Sequence, residues 1–169
     1  LGYMSPEGLL YVMGRFKSLL IGSDGEKYSP EGIEEALVQC CDTIDQVMLY
    51  NNQSAYTSAL IVPNREALKR CGCDLTTDEG CRVAIQEVQK DVKRFSKGGD
   101  LQGQFPERWL PATFALLREP FSEQTQMINS TMKMVRGKIE KAYAERLQYI
   151  YTSEGKNIEN AQNIEALKA

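Results

Sequence analysis

Two apolar runs of strand length, joined by a short polar stretch, constrain the fold of this chain more than any other feature. The segment DQVMLYNNQSAYTSALIVP contains them at residues 47–50 and 56–62, with a polar turn at 51–54 between them. Pro63 follows the second run, and because proline lacks a backbone N–H it ends a strand. The pattern predicts two neighbouring strands joined by a turn.

Helical patterns flank this strand pair on both sides. Before it, Ile33, Leu37 and Cys40 fall at i, i+4 and i+7, which places them on one face of a helix with Pro30 at its first position. After it, the sequence predicts a short helix at 65–70, a long helix at 77–96, a strand at 113–117 and a last helix at 134–151. This order predicts an α+β fold, with helices flanking a small, mainly antiparallel sheet.

The two ends of the chain differ from this centre. Apolar runs at 9–14 and 18–22 lie on either side of a basic turn, Arg15-Phe16-Lys17, and predict a short β-hairpin before the main domain. The last residues, 152–169, are polar and predict a loosely attached tail. The chain opens with Leu-Gly and not with Met, which suggests a part of a longer protein.

Composition narrows the classes of function. The net charge of −3 gives no general attraction to nucleic acid or to anionic membranes, and there is no apolar run long enough for a transmembrane helix. The chain has no histidine, which excludes Ser-His-Asp and Cys-His catalysis. Five cysteines, an odd number, fit a reducing cytosol, and their spacing is not that of a zinc site, so we expect no metal ligands among them.

Two segments carry the motifs that point to a function. In the first, residues 14–37, Gly-Arg-x-Lys is followed by an apolar strand, by the turn Ser-Asp-Gly-Glu and by a helix containing Ile33-Glu34. The second, NSTMKMVR at 129–136, matches the pattern Thr-Pro-Thr-Leu-Lys-Val-x-Arg at Thr131, Lys133 and Arg136. Over about residues 1–150 the chain resembles the C-terminal region of the AMP-forming acyl-CoA synthetases, and the long-chain fatty acid branch fits best.

The chemistry of acid activation requires a lysine of this kind. A carboxylate must attack the α-phosphate of ATP, and a positioned ammonium group lowers the repulsion between the two anions. The resemblance implies that Lys133 has this role, with Thr131 and Arg136 supporting it. Lys138 remains the alternative, because many members of the family carry Gly-Lys-Ile around this lysine and the chain has that sequence at 137–139.

The resemblance also implies roles in the first segment. Arg15 would approach the ribose of the nucleotide, and Lys17 would be the hinge. The coenzyme A channel would be lined by Gly22, Ser23, Asp24, Gly25 and Glu26. Two positions depart from the pattern: Asp24 stands where the long-chain branch has glycine, and Asn129 where it has threonine.

The organisation that the resemblance implies is a mobile lid. Residues 1–17 would end an N-terminal adenylation domain and form the hinge, residues 18–151 would form the C-terminal lid domain, and 152–169 the tail. The partner of the lid would be the adenylation domain of the same polypeptide, with fatty acid, ATP/AMP and CoA as ligands. Magnesium would be held mainly by that other domain, and the lid alone would be inactive.

Two other readings stay open at this point. The chain could be the lid of an acyl-ACP synthetase, which charges acyl carrier protein instead of CoA. It could also be a non-catalytic interaction domain of similar fold, because a fold does not determine a function. We expect a cytoplasmic location, with peripheral membrane association left open.

Overall fold

The structure, a computed structural model, describes residues 2–12 and 18–168. Arg15 and Lys17 lie outside the described residues, so the nucleotide-binding role of the first and the hinge role of the second stay predictions. The helices and strands run, in chain order, β1 (Gly2–Met4), β2 (Leu10–Val12), β3 (Leu20–Gly22), β4 (Lys27–Tyr28), α1 (Glu31–Cys40), β5 (Ile44–Tyr50), β6 (Asn52–Ser54), β7 (Ser58–Pro63), α2 (Arg65–Arg70), α3 (Asp78–Lys93), β8 (Thr113–Leu116), α4 (Arg136–Ala142), α5 (Ala144–Tyr149), α6 (Ser153–Lys156) and α7 (Ala161–Leu167).

A β-hairpin precedes the main body, but only one of its strands, β2, lies in a predicted run. β1 pairs antiparallel with β2, and β3 pairs antiparallel with β4. Gly8 and Gly25 each have a φ of +81°, so a glycine turn closes each pair locally. The predicted hairpin between residues 9–14 and 18–22 is therefore wrong, because each run pairs with a nearer segment.

The central sheet has the order β5-β7-β8 and contains the predicted strand pair. β5 and β7 are antiparallel, with Val47 opposite Ile61. β8 joins β7 in parallel after the crossover through α2 and α3, as a parallel connection requires. A second sheet, β4-β3-β6, also combines an antiparallel and a parallel pair. The α+β class is confirmed, and both sheets are mixed.

Helices cover both faces of the central sheet. Alternate residues of a strand point to opposite faces, and the two hydrophobic clusters divide β7 in this way. Ala59 and Ile61 pack with side chains of α1, α3 and α7, whereas Leu60 and Val62 pack with side chains of α4 and α5. Every residue of β7 is buried, so this strand forms the centre of the domain.

The last predicted helix, 134–151, is interrupted. α4 ends at Ala142 and α5 begins at Ala144, and between them Tyr143 has φ −109° and ψ 25°, outside helical geometry. Its ring packs edge-on against Phe121, with 6.3 Å between ring centroids. The break turns α5 toward the sheet, where Leu147 is buried.

The C-terminal segment is packed into the domain, so the prediction of a loosely attached tail is wrong. Ile164 and Leu167 of α7 are buried in the same cluster as α1 and α3. The buried Asn163 accepts from the backbone N–H of Leu116 at 2.8 Å and donates to the carbonyl of Phe114 at 3.2 Å. Composition alone did not predict this packing, because a polar side chain is expected to face water. Here Asn163 is buried and forms hydrogen bonds with backbone groups of β8.

We expect Leu167→Ala to lower the free energy of unfolding by about 2–5 kcal/mol, because it empties a fully buried site. Urea unfolding of the 169-residue chain measures this. Glu165→Ala is the matched control on the same helix, because Glu165 is exposed and its ion pair with Arg118 lies at the surface, which makes it worth less than about 1 kcal/mol. Equal effects of the two changes would mean that α7 does not contribute to the core.

A buried ion pair joins α1 to the first residue of α4. Arg136 donates to the carboxylate of Glu34 and, at 3.1 Å, to the carbonyl of Leu49. Glu34 also accepts from the N–H of Leu49 at 2.6 Å. The two side chains are only 13% and 6% exposed. Burial raises the pKa of Glu34, whereas the guanidinium of Arg136 and the N–H of Leu49 act in the opposite direction.

Arg136→Met should destabilise the domain by about 3–5 kcal/mol, because it leaves the Glu34 carboxylate buried without its cation. The double variant Glu34→Gln, Arg136→Met should lose less than the single one, since neither charge then remains. Lys141→Met, on the exposed side of α4, serves as the control. Chemical denaturation gives all three values, and a double variant less stable than Arg136→Met would contradict the coupling.

Candidate functional site

A groove of about 740 Å³ lies between α1, β5 and the segment from Phe121 to Gly137. Apolar side chains line part of it, and they are Val38, Val47, Phe121, Ile128, Met132 and Met134. Glu31, Glu35 and Asp45 add carboxylates to its walls. Lys133 and Arg136 are the basic residues of this lining, and Arg136 is paired with Glu34. The groove thus brings the second motif next to the helix of the first.

Lys133 stands at the end of a tight turn. The backbone of Asn129 donates to the carbonyl of Lys133 at 2.9 Å, and a bridge between Ile128 and Met134 continues the pairing outward. Met132, just before the lysine, has a φ of +59° and is 75% exposed. A positive φ is costly for a residue with a side chain, so the hydrogen bonds of the turn must hold it there.

The side chain of Lys133 is exposed. Across residues 2–12 and 18–168, no group forms a hydrogen bond or an ion pair with its ammonium. Lys138 differs, because it lies on α4 and its ammonium donates to the side-chain carbonyl of Gln126. It is also absent from the lining of the groove. Lys133 is thus unpaired beside the groove among the described residues, whereas Lys138 is hydrogen-bonded to the loop that contains Gln126.

Thr131 and Arg136 occupy two different positions around Lys133. The hydroxyl of Thr131 donates to the side chain of Asn129 at 2.8 Å, inside the turn. Arg136 lies at the base of the turn, where its ion pair with Glu34 fixes the segment to α1 and β5. Glu34 belongs to the first motif and Arg136 to the second, so this pair is the physical contact between the two motifs.

The predicted CoA-channel residues form the turn between β3 and β4. The N–H of Gly22 donates to the carbonyl of Glu26 at 2.9 Å, and the N–H of Gly25 to the carbonyl of Gly22 at 3.0 Å. Asp24 accepts from the N–H of Glu26 at 3.0 Å. A Cβ added to Gly22 would lie 2.8 Å from an oxygen of Asp24, so a larger residue there would displace that carboxylate. Ser23 completes the turn.

Glu26 is fixed by residues that sequence reasoning missed. Arg108 donates to both oxygens of its carboxylate, at 2.5 Å for one of them, and the indole N–H of Trp109 donates at 3.1 Å. The hydrogen bond from Arg108 is the largest cause that lowers the pKa of Glu26, and the bond from Trp109 is the next. Trp109 stacks on Tyr28, with 5.2 Å between centroids and 6° between planes. The partners are 82 residues apart, and no local pattern marks such a contact.

The candidate residues therefore form two groups. Lys133, Thr131 and Arg136 lie together, whereas none of residues 22–26 lines the groove beside Lys133. Within the described ranges, no group of three or more His, Cys, Asp or Glu side chains is placed to hold a metal ion. In the same part of the chain, no helix has the length and apolar character needed to cross a membrane.

Comparison with known proteins gives a consistent result. A long chain acyl-CoA synthetase of Arabidopsis thaliana is 28% identical over 159 residues, which cover 89% of this chain and 21% of that protein. A chloroplastic long-chain-fatty-acid–[acyl-carrier-protein] ligase of the same plant is 23% identical over 145 residues, covering 86% of this chain and 18% of the relative. The chain thus spans about a fifth of the length of these relatives.

The fold matches solved structures of adenylate-forming enzymes. The adenylation domain of a carboxylate reductase from Mycobacterium chelonae superimposes with a TM-score of 0.70 and 25% identity, covering 87% of this chain and 21% of that one. The family of AMP-binding enzyme C-terminal domains matches residues 17–155, which include the first motif from Lys17 onward and the whole second motif. This chain belongs to the AMP-binding enzyme C-terminal domain family.

Proposed function

We propose that the chain is the C-terminal lid of an ATP-dependent, AMP-forming long-chain fatty acid–CoA ligase. The lid supplies Lys133 for formation of the acyl-adenylate. It then rotates about Lys17 and presents residues 22–26 for formation of the thioester, a hinge motion of a known kind. The chain has negligible ligase activity without the adenylation domain that is its partner. The free thiols of all five cysteines support a cytoplasmic location for the enzyme.

The observation that best supports this proposal is that the ammonium group of Lys133 is exposed and pairs with no anion among the described residues. This ammonium is therefore free to contact a phosphate oxygen of the acyl-adenylate held by the adenylation domain. Once enclosed there, away from water, its attraction for phosphate is much stronger than at an open surface. The turn and the Glu34–Arg136 pair hold its backbone in place beforehand, so the lid can approach with the cation already presented.

The two groups of residues support two successive orientations. Residues 22–26 and Lys133 do not share the groove, which supports their use in two successive steps. The glycine turn suits the thioester step, since a slender pantetheine arm requires a close approach to the backbone, and a Cβ added at Gly25 would meet nothing within 4 Å. Coenzyme A, when bound, supplies the thiol that displaces AMP.

ATP and magnesium enter the proposal in different ways. Lys133 fits contact with a nucleotide phosphate because lysine is a compact cation on a long stem. Arg15 is proposed to approach the ribose. We assign the magnesium ion mainly to the adenylation domain.

A second candidate is a lid that serves an acyl carrier protein. It is favoured by the likeness to the chloroplastic ligase whose name gives acyl carrier protein as the acceptor. Both candidates share the acyl-adenylate step and the role of Lys133, so they differ only in the thiol that enters. The acyl-CoA synthetase relative, at higher identity and over more of this chain, makes coenzyme A the first choice.

In the complete enzyme, Lys133→Ala should lower the rate of acyl-adenylate formation by about 10²–10³-fold, the usual cost of removing a group that stabilises transition-state charge. Thioester formation from supplied acyl-adenylate should change little. Pyrophosphate release and a CoA-dependent single-turnover assay measure the two half-reactions. Lys138→Ala is the matched control and should change neither rate appreciably. If the two substitutions exchanged their effects, Lys138 would be the adenylation lysine.

The acceptor is tested with the same complete enzyme and acyl-adenylate formed in place. We expect coenzyme A to be acylated faster than holo-acyl carrier protein at equal concentrations, as read by mass spectrometry of the thioesters. Apo-acyl carrier protein, which lacks the pantetheine thiol, controls for acylation elsewhere on the carrier. Faster acylation of the holo carrier protein would replace the first candidate with the second.

A further inference from the structure

The turn that presents Lys133 depends on the side chain of Asn129. Its carboxamide oxygen accepts three hydrogen bonds: from the N–H of Thr131 at 3.0 Å, from the hydroxyl of Thr131 at 2.8 Å and from the N–H of Lys133 at 3.0 Å. A carbonyl oxygen has two lone pairs, so this acceptor is fully used. One side chain therefore bonds the backbone on both sides of Met132, at Thr131 and at Lys133.

Backbone hydrogen bonds close the same turn around Asn129. Its N–H donates to the carbonyl of Lys133, and its carbonyl accepts from the N–H of Met132, both at 2.9 Å. Met132 is held at positive φ although its side chain is mostly exposed, so packing contributes little to that conformation. The hydrogen bonds to Asn129 are what stabilise it.

We infer that Asn129 is a positioning residue for the proposed adenylation step, acting through Lys133. The inference rests on the proposed function. Without the carboxamide oxygen, Thr131 and Lys133 lose their common acceptor, and the turn can relax away from the positive φ at Met132. A shift of about 1 Å in a reacting group can cost about a hundredfold in rate, so a small relaxation of the turn is enough.

The position of Asn129 separates this role from a role in stability. Asn129, Ser130 and Thr131 are all exposed and belong to neither hydrophobic cluster. Substitutions at such positions usually change the stability of the fold little. Asn129→Leu removes the acceptor at similar size, Asn129→Asp keeps an oxygen in the same place, and Ser130→Ala is a matched control in the same turn.

The first measurement uses the 169-residue chain and needs no activity. Amide hydrogen exchange followed by NMR should be faster at Thr131 and Lys133 in Asn129→Leu than in the unaltered chain. It should return toward the original rate in Asn129→Asp and stay unchanged in Ser130→Ala. Unchanged exchange at both amides in Asn129→Leu would overturn the inference.

The second measurement uses the complete enzyme. Asn129→Leu should lower kcat for acyl-adenylate formation by up to about a hundredfold, with the KM for fatty acid nearly unchanged. Thioester formation from supplied acyl-adenylate should be spared, and Asn129→Asp should recover most of the lost rate. The double variant Asn129→Leu, Lys133→Ala should be no slower than Lys133→Ala alone, because both changes act through one group.

The double variant also distinguishes the two ways of failing. If Lys133→Ala forms acyl-adenylate at the original rate, the proposed function fails and the inference falls with it. If Lys133→Ala is impaired while Asn129→Leu stays within about twofold of the unaltered enzyme, only the inference fails. It also fails if Asn129→Leu slows the Lys133→Ala enzyme by the same factor as it slows the unaltered one, since Asn129 would then act independently of the lysine.

Discussion

The ion pair between Glu34 and Arg136 determines where the candidate adenylation lysine stands relative to the rest of the domain. Glu34 lies in the first turn of α1, and both side chains also bond the backbone of Leu49 in β5, so α1, α4 and β5 meet at one point. Because the pair is almost fully buried, loss of one partner is costly, and the segment cannot move away freely. Lys133, three residues before Arg136, is thus attached to the buried part of the domain while its own side chain remains exposed.

The same contact explains why two motifs so far apart in sequence belong to one structural unit. The helix of the first motif supplies the carboxylate, and Arg136, the first residue of α4 in the second motif, supplies the guanidinium. The turn at residues 22–26 is built separately and is fixed by Arg108 and Trp109 from the segment before β8. Two independently supported surfaces on one small domain are what a lid with two working orientations requires, and this agreement underlies the proposed function.

Local sequence patterns predicted most of the elements and few of their partners. The strand pair, α2, α3 and β8 follow from periodicity, and Thr77 caps α3 through the N–H of Gly80. The prediction of the first hairpin was wrong because two apolar runs do not reveal which neighbouring segment each one pairs with. The prediction of a loose tail was wrong because the polar Asn163 is buried and forms long-range hydrogen bonds to β8.

The candidate site shows the same division. Lys133, Thr131 and Arg136 could be placed by a motif, because the motif is local. Glu26 with Arg108, and Glu34 with Arg136, are contacts over 82 and 102 residues that no single-sequence pattern encodes. Asn129 was visible only as a departure from a family pattern, and its three accepted hydrogen bonds give that departure a physical meaning.

The central claim is that this domain carries the cation at position 133 to a phosphate held by another domain. A crystal structure of the complete enzyme with a non-hydrolysable acyl-adenylate analogue tests it most directly. We expect the Lys133 ammonium within about 3 Å of an oxygen of the bound analogue, the distance of a charge-assisted hydrogen bond. An ammonium that points into solvent while Lys138 or another cation contacts the analogue would contradict it.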